Sequence, residues 1–244
     1  MVTEIVARPC AISGSLTITD GSTGKAQQLD RTLSERSELS LAARTACQVA
    51  VYRNRREVRL AAGEVRFRVT HDPDRPFLVM TEWGRVRVLG TIFTVSAREG
   101  YMRVAVADGR VGVWPYGDAG GSTDTPGVLT DDPPVVLQAG QAIDVDRQGL
   151  GARRTLPPDD VGAWRQGWLV FDNTPLPEAV ARWNDYVPQP FLLRDQPRLR
   201  ELRVSGSFPL RDPQAFLQGL PDMLPVRVTR AAGEPATIEL RSQK

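Results

Sequence analysis

The sequence predicts a mainly β protein with an α+β part at its C-terminus. Short segments of alternating apolar and polar residues, separated by turn residues, recur about every 8–12 residues through the first two thirds of the chain. An Asp-Gly dipeptide at residues 108–109 separates two valine-rich alternating runs. Beyond Asp160, a strand–helix–strand pattern occurs twice.

The overall composition is that of an ordinary globular protein. The chain has 244 residues, of which 41% are hydrophobic and 25% charged, and its formal net charge is only +2. This charge predicts no attraction to nucleic acid or to anionic lipid. No apolar run approaches the roughly 18 residues that a membrane span needs, and the first residues lack a signal-sequence pattern.

Turn signals set the expected strand boundaries in the β part. We expect strands at residues 57–60 and 65–69, joined by a turn at Ala62-Gly63-Glu64. Gly90, inside the run 86–95, predicts a β-bulge. Further strands are predicted at residues 16–19, 39–41, 49–51, 77–80, 135–137 and 142–145.

The Asp108-Gly109 dipeptide predicts a two-residue hairpin turn, because both residues tolerate positive φ. Such a hairpin would place Val106 opposite Val111 and Val104 opposite Val113, with all four valines on one face.

Two domains follow from the change of pattern. Residues 1–160 form the all-β domain, of which residues 149–160, with Pro157-Pro158, are a predicted linker. Residues 161–244 form the second domain.

The second domain contains two predicted βαβ units of about 38 residues, which imply one small mixed sheet with right-handed crossovers. In the first unit Thr174 and Pro175 begin a helix with the apolar stripe Leu176, Ala179, Val180 and Trp183. In the second unit Asp212 and Pro213 begin a helix, Pro221 ends it, and its apolar stripe is Phe216, Leu217 and Leu220.

Residues that carry chemistry are few, and the sequence predicts neither an enzyme nor a cofactor or metal site. The lone histidine, His71, precedes Asp72 in a Pro-rich turn and has no nucleophile motif beside it. The acidic pairs Asp131-Asp132 and Asp159-Asp160 fit solvated loops better than metal sites. Cys47 fits a buried small apolar residue, and a Cys10–Cys47 disulfide is the alternative.

Aromatic and basic residues also have a structural interpretation. Trp164 and Trp168 fit a packing pair better than a sugar-stacking platform. The run Arg53, Arg55 and Arg56 is typical of a solvated strand edge.

A series of short sequence motifs in a fixed order resembles the periplasmic part of FecR-type sigma regulators, the inner-membrane anti-sigma factors of iron uptake. The resemblance spans about residues 30 to 241, and one departure is Glu35-Arg36-Ser37, where the family has Asp-Gly-Ser. The motifs lie at residues 57–69, 74–79, 86–95, 108–111, 137–141, 164–176, 205–208 and 212–213.

The resemblance implies an all-β FecR-like domain of twisted, stacked short strands near the membrane, followed by a domain like the short N-terminal domain of secretins and TonB receptors. It implies that the chain binds the N-terminal signalling domain of a TonB-dependent outer-membrane siderophore receptor. The signal would pass to a sigma factor of the extracytoplasmic-function class through a cytoplasmic segment and a membrane span upstream of residue 1. The expected location is therefore the periplasm.

The expected binding mode is β-augmentation, because a small sheet leaves free edges. The candidate edges are residues 202–208 and 237–241, with Arg203, Ser205 and Ser207 alternating outward. The predicted partner-binding residues are Leu202, Arg203, Val204, Ser205, Gly206, Ser207, Phe208, Thr237, Glu239 and Arg241.

Two alternatives belong to other functional classes. One is a carbohydrate- or envelope-binding β module that uses Trp83, Trp114 or Trp164 as stacking surfaces. The other is a hydrolase with a site centred on His71.

Overall fold

The computed structural model describes residues 5–9, 15–20 and 26–27 as backbone, and residues 37–116, 133–231 and 233–241 in full. The chain divides into two compact units, Met1–Gly162 and Ala163–Lys244. The predicted mainly β fold is confirmed, because strands are the main elements of the first unit and helices occur with strands in the second.

The first unit consists of fifteen strands in its described part and a short 3₁₀ turn at Pro158–Asp160. The strands are β1 (Ile5–Pro9), β2 (Ser15–Asp20), β3 (Ala26–Gln27), β4 (Ser37–Leu41), β5 (Ala46–Val51), β6 (Arg56–Arg68), β7 (Phe77–Met80), β8 (Gly84–Val88), β9 (Ile92–Arg98), β10 (Tyr101–Asp108), β11 (Arg110–Pro115), β12 (Val135–Gln138), β13 (Gln141–Asp146), β14 (Gly149–Leu150) and β15 (Arg154–Thr155).

Strand β6 joins two layers of strands. Its N-terminal half, residues 56–62, pairs with β5 and β7, and the layer continues through β8 and β11 to β12. Its C-terminal half, residues 63–68, pairs with β4 and β9, and that layer continues through β10 to β13. One core cluster takes buried side chains from both layers, including Phe67 and Phe77 with ring centroids 5.5 Å apart.

The predicted turn at Ala62-Gly63-Glu64 is wrong, since these residues lie inside β6. Gly63 has a φ of 93°, and a Cβ placed there would lie 2.5 Å from the Cα atom of Thr45. The Thr45 hydroxyl accepts a hydrogen bond from the N–H of Glu64 and donates one to the C=O of Glu64. A close approach of two backbones therefore bends one long strand where the sequence pattern suggests two strands.

The predicted Asp108-Gly109 hairpin is also wrong. β10 pairs with β9 and β13, whereas β11 pairs with β8 and β12 in the other layer. Gly109 does have positive φ, 86°, but its turn carries the chain from one layer to the other. The valines at positions 104, 106, 111 and 113 are buried in the core as predicted, although they are not cross-strand partners.

A second connection between the two layers, here called a crossing like the one at Gly109, lies where the sequence predicts a bulge at Gly90. Residues 89–91 separate β8 in one layer from β9 in the other. The Thr91 hydroxyl donates to the carbonyl of Arg110 at 3.1 Å, so the two crossings are bonded to each other.

Residues 149–160 are not the predicted linker. β14 and β15 both pair with β13, and an ion-pair network also fixes β15 there. The Asp144 carboxylate accepts from Arg103 at 2.7 Å and from Arg154 at 2.8 Å. These contacts make the segment part of the β unit.

The second unit contains three helices and five strands in its described part. After a 3₁₀ turn at Ala163–Gln166, its elements are β16 (Trp168–Pro175), α1 (Leu176–Asn184), β17 (Leu192–Leu193), α2 (Pro197–Glu201), β18 (Arg203–Pro209), α3 (Pro213–Met223), β19 (Val226–Thr229) and β20 (Thr237–Leu240).

The predicted strand–helix–strand order is present twice, but the single mixed sheet is wrong. β16 and β18 form a two-stranded antiparallel sheet, and β17, β20 and β19 form a separate three-stranded sheet. Helix α1 contacts β16 and β17, and α3 contacts β18 and β19, so each helix packs against both sheets. The helices therefore separate the two strands of each unit, which prevents the predicted crossover pairing.

The helix termini partly follow the sequence signals. The Asp212 carboxylate accepts from the N–H of Ala215 at 3.0 Å, which confirms the predicted cap of α3. Thr174 is not a cap, because β16 continues through Pro175. The Thr174 hydroxyl instead donates to the carbonyl of Asp172. Pro221 does not end α3, which continues to Met223.

Aromatic side chains form the centre of the second unit. The predicted apolar stripes of α1 and α3 are buried. Phe216 of α3 has ring neighbours at 5.1 to 6.3 Å from β16, β18, α1 and the residue before β17, namely Phe171, Phe208, Trp183 and Phe191. This aromatic cluster holds β16 and β18 against the helices.

Candidate binding edge

Strand β18 is an edge strand among the described residues, because its one strand partner is β16. Two backbone bonds fix the direction of its peptide groups: Leu210 donates to Gly167 at 2.7 Å, and Leu176 donates to Leu202 at 2.9 Å. Antiparallel pairing alternates between bonded and non-bonded pairs, so residues 204, 206 and 208 direct their N–H and C=O groups toward β16. The peptide groups of residues 203, 205 and 207 therefore face the free edge.

The side chains of β18 leave this edge accessible. Arg203, Ser205 and Ser207 are exposed, as predicted, whereas Val204 is buried. The Ser205 hydroxyl accepts from the N–H of Asn173 at 2.9 Å, at the point where the pairing register shifts. This hydrogen bond anchors the middle of β18 to β16 without using the outward N–H group of Ser205.

The second predicted edge is wrong, since β20 is the central strand of its sheet. It pairs with β17 on one side and with β19 on the other, so Thr237 and Glu239 already have strand neighbours. The Glu239 carboxylate also accepts from Arg227 at 2.8 Å, and Arg241 donates to the carbonyl of Pro221 at 2.9 Å. These groups stabilise the unit and offer no free backbone edge.

The three tryptophans proposed as stacking surfaces are buried, so that interpretation is wrong. Trp83, Trp114 and Trp164 are 9%, 7% and 5% exposed. Stacking on a sugar needs an open ring face, which these side chains do not provide. Trp168, by contrast, is 42% exposed.

His71 and Asp72 do not form the pair that a hydrolase would need. The Asp72 carboxylate accepts from both the backbone and the side chain of Arg75, at 3.1 and 2.9 Å. Burial alone would raise the pKa of Asp72, but the hydrogen bonds and charge of Arg75 outweigh it and lower that pKa. The described residues hold no cluster of three or more His, Cys, Asp or Glu side chains suited to a metal ion.

Arg56 is not part of a solvated edge, because its side chain is completely buried. Its guanidinium donates to the carbonyls of Arg75 and Thr70 and to the hydroxyl of Ser37. The neighbouring Arg53 is exposed, as the sequence pattern indicates.

Cys47 is a free cysteine in the core, 4% exposed, so its interpretation as a buried apolar residue is confirmed and the disulfide alternative is not. Cys10 and the acidic pair Asp131-Asp132 lie outside the described residues. Burial raises the pKa of the Cys47 thiol from 9.0 to about 12.

This pKa shift predicts a loss of stability at alkaline pH. Between pH 9 and 12 the unfolded chain loses the Cys47 proton and the folded chain keeps it, so folding becomes less favourable as pH rises. We expect the advantage of the wild type over Cys47→Ala to shrink by about 1.4 kcal/mol per pH unit above pH 9. Urea unfolding of both proteins at pH 7, 9 and 10.5 measures this difference. A pH-independent difference would contradict the prediction.

Part of the first unit is similar to a known protein family. Residues 19–112 match the model of the FecR family, described as FecR protein. This match confirms the predicted resemblance over residues 30–112. A comparison with curated proteins finds no match.

Solved structures share the fold of this chain over nearly its whole length. Two crystal structures of a "putative anti-sigma factor" from Parabacteroides distasonis ATCC 8503 have TM-scores of 0.71 and 0.70, with 21% and 22% sequence identity. Each alignment covers 93% of this chain and 98% of the other. The fold of both units is therefore one that a known protein also adopts.

None of the helices in the described part of the chain is long and apolar enough to cross a membrane.

Proposed function

We propose that this chain is the sensing portion of a transmembrane sigma regulator and acts in the periplasm. The FecR domain and the fold shared with the "putative anti-sigma factor" support regulation of a sigma factor. We propose that the signal comes from a TonB-dependent siderophore receptor, and that the C-terminal unit binds the receptor's N-terminal signalling domain. An extracytoplasmic-function sigma factor would then respond through a segment upstream of residue 1.

The observation that carries this proposal is the free edge of β18. Three peptide groups at alternate residues, Arg203, Ser205 and Ser207, face outward and offer hydrogen bonds to an added strand. The strand is held in place by β16 and by the aromatic cluster beneath it, so little ordering is required on binding. Exposed small side chains at positions 205–207 leave room for the partner's backbone.

A proline at position 205 tests this edge directly. Ser205→Pro removes an outward N–H donor and leaves the bonds of Val204 and Gly206 to β16 in place. We expect binding of the receptor signalling domain to fall by about five- to 160-fold, since a lost buried hydrogen bond costs about 1–3 kcal/mol. Isothermal titration measures the affinity, and circular dichroism checks that the fold is native.

Ser205→Ala is the matched control. It removes the hydroxyl that accepts from Asn173 but keeps the outward N–H group, so binding should stay within about threefold of wild type. Undiminished binding by a folded Ser205→Pro protein would exclude this edge. If the wild type binds none of the signalling domains encoded in its own genome, the proposed function itself fails.

A further inference from the structure

A cationic groove lies on the first unit. It crosses the outer face of β8, β11 and β12, where Arg87, Gly112 and Val136 are direct cross-strand neighbours. Leu89, His71 and Trp114 line the groove as well, and its volume is about 590 Å³. This volume is within the range of ligand-binding clefts, roughly 300–1,000 Å³.

Charge in the groove has one sign. Arg87 and Arg110 line it, and the part of the chain that the structure describes offers neither guanidinium an ion-pair partner. None of the described lining residues is acidic. The Glu57 carboxylate lies two strands from Arg87 and is already ion-paired with Arg55. Asp72 donates its N–H to the carbonyl of Leu89, and its carboxylate is already bonded to Arg75.

Apolar surface accompanies these charges. Val136 and Leu89 are 39% and 38% exposed, which is unusual for large apolar side chains in this unit. Gly112 lacks a side chain, and the ring of Trp114 lies over it, 3.0 Å from where a Cβ atom would be. The indole N–H of Trp114 is buried and has no acceptor among the described residues. A ligand of this groove therefore needs apolar groups as well as negative charge.

We propose that this groove binds an acidic, extended peptide segment of another protein. Carboxylates of the peptide pair with Arg87 and Arg110, and its intervening apolar side chains cover Val136 and Leu89. An alternating acidic and apolar strand has this chemistry, because successive side chains point to opposite sides. A free phosphate or sugar acid would leave the apolar side chains of Val136 and Leu89 uncovered. This proposal is independent of the receptor contact at β18.

Binding of a defined peptide tests the groove. The probe is a capped ten-residue peptide of alternating glutamate and valine, titrated into the full chain, with a glutamine-for-glutamate peptide as the uncharged control. We expect saturable binding of the acidic peptide, with a Kd below about 1 mM, and none of the control. Affinity should fall as salt is raised from low to physiological concentration.

Variants locate the binding on this face. The double change Arg87→Gln and Arg110→Gln should weaken binding about tenfold, whereas Arg153→Gln, an exposed arginine elsewhere in the unit, should not. Urea unfolding confirms that each variant is folded. Equal binding by the double variant would overturn the proposal, as would absence of binding by the wild type.

One competing occupant is the chain's own segment 117–132, which carries four aspartates and no lysine or arginine. A variant with asparagine at positions 118, 124, 131 and 132 separates the two cases. If only this variant binds the peptide, the groove serves the chain's own acidic segment and the proposal of an external partner is overturned.

Discussion

Replacing Arg56 with alanine is expected to lower the free energy of unfolding by about 3–5 kcal/mol. The Arg56 side chain is 0% exposed. Its Nε and Nη2 atoms donate to the carbonyl of Arg75 at 3.1 and 2.9 Å, and Nη1 donates to that of Thr70 at 3.3 Å. Alanine would leave both carbonyls without these donors and open a cavity beside Phe77, whose ring lies 5.5 Å from the guanidinium.

Two further variants separate hydrogen bonding from charge at this position. Arg56→Lys keeps a positive charge but lacks the planar fork that reaches both carbonyls, so we expect a loss of about 2 kcal/mol or more. Arg53→Ala changes an exposed arginine three residues earlier and should stay within about 0.5 kcal/mol of wild type. Urea unfolding measures all three. A loss below about 1 kcal/mol for Arg56→Ala would show that water replaces the guanidinium.

Arg56 also illustrates what the sequence pattern does not contain. Three arginines within four residues are typical of a solvated edge. Whether one of them is buried depends on carbonyl groups 14 and 19 residues further along the chain. Those carbonyls become available only because the loop between β6 and β7 folds over the strand. The local sequence pattern therefore does not predict that Arg56 is buried.

Burial was more predictable than strand pairing. Val104, Val106, Val111 and Val113 are buried as their alternation indicates, yet they are not cross-strand partners. Alternation reports which side of a strand faces apolar surroundings, and that side is the same in a hairpin and in a crossing between layers. The Asp108-Gly109 dipeptide specifies positive φ at Gly109, but β9 and β13 already occupy both edges of β10.

The candidate edge was half predictable for a similar reason. The exposed alternation of Arg203, Ser205 and Ser207 is visible in the sequence, and β18 is an edge strand. β20 has a comparable pattern but lies between β17 and β19. β17 contains only two residues, too few for any periodicity, so its pairing with β20 is set by tertiary contacts alone.

Replacing Trp183 with alanine is expected to cost the second unit about 3–5 kcal/mol. Trp183 is 0% exposed, and its ring lies 5.3 Å from that of Phe216 and 6.3 Å from that of Phe191. A domain of this size has a total stability of only about 4–12 kcal/mol. Much of the unit's stability would therefore be lost, and β18 with it, because Phe208 packs on the same Phe216 ring.

Trp183→Phe tests the cause of this loss. The indole N–H of Trp183 is buried and has no acceptor among the described residues, so phenylalanine removes an unsatisfied donor while keeping most of the ring contacts. Its cost should therefore be less than half that of alanine. Trp168→Ala, at a 42% exposed position, should cost below about 1 kcal/mol. Urea unfolding gives the stabilities, and titration with the receptor signalling domain shows whether binding is lost in parallel with the aromatic cluster. Equal losses for Trp183→Phe and Trp183→Ala would mean that the indole nitrogen is bonded in solution, and the cavity argument would then fail.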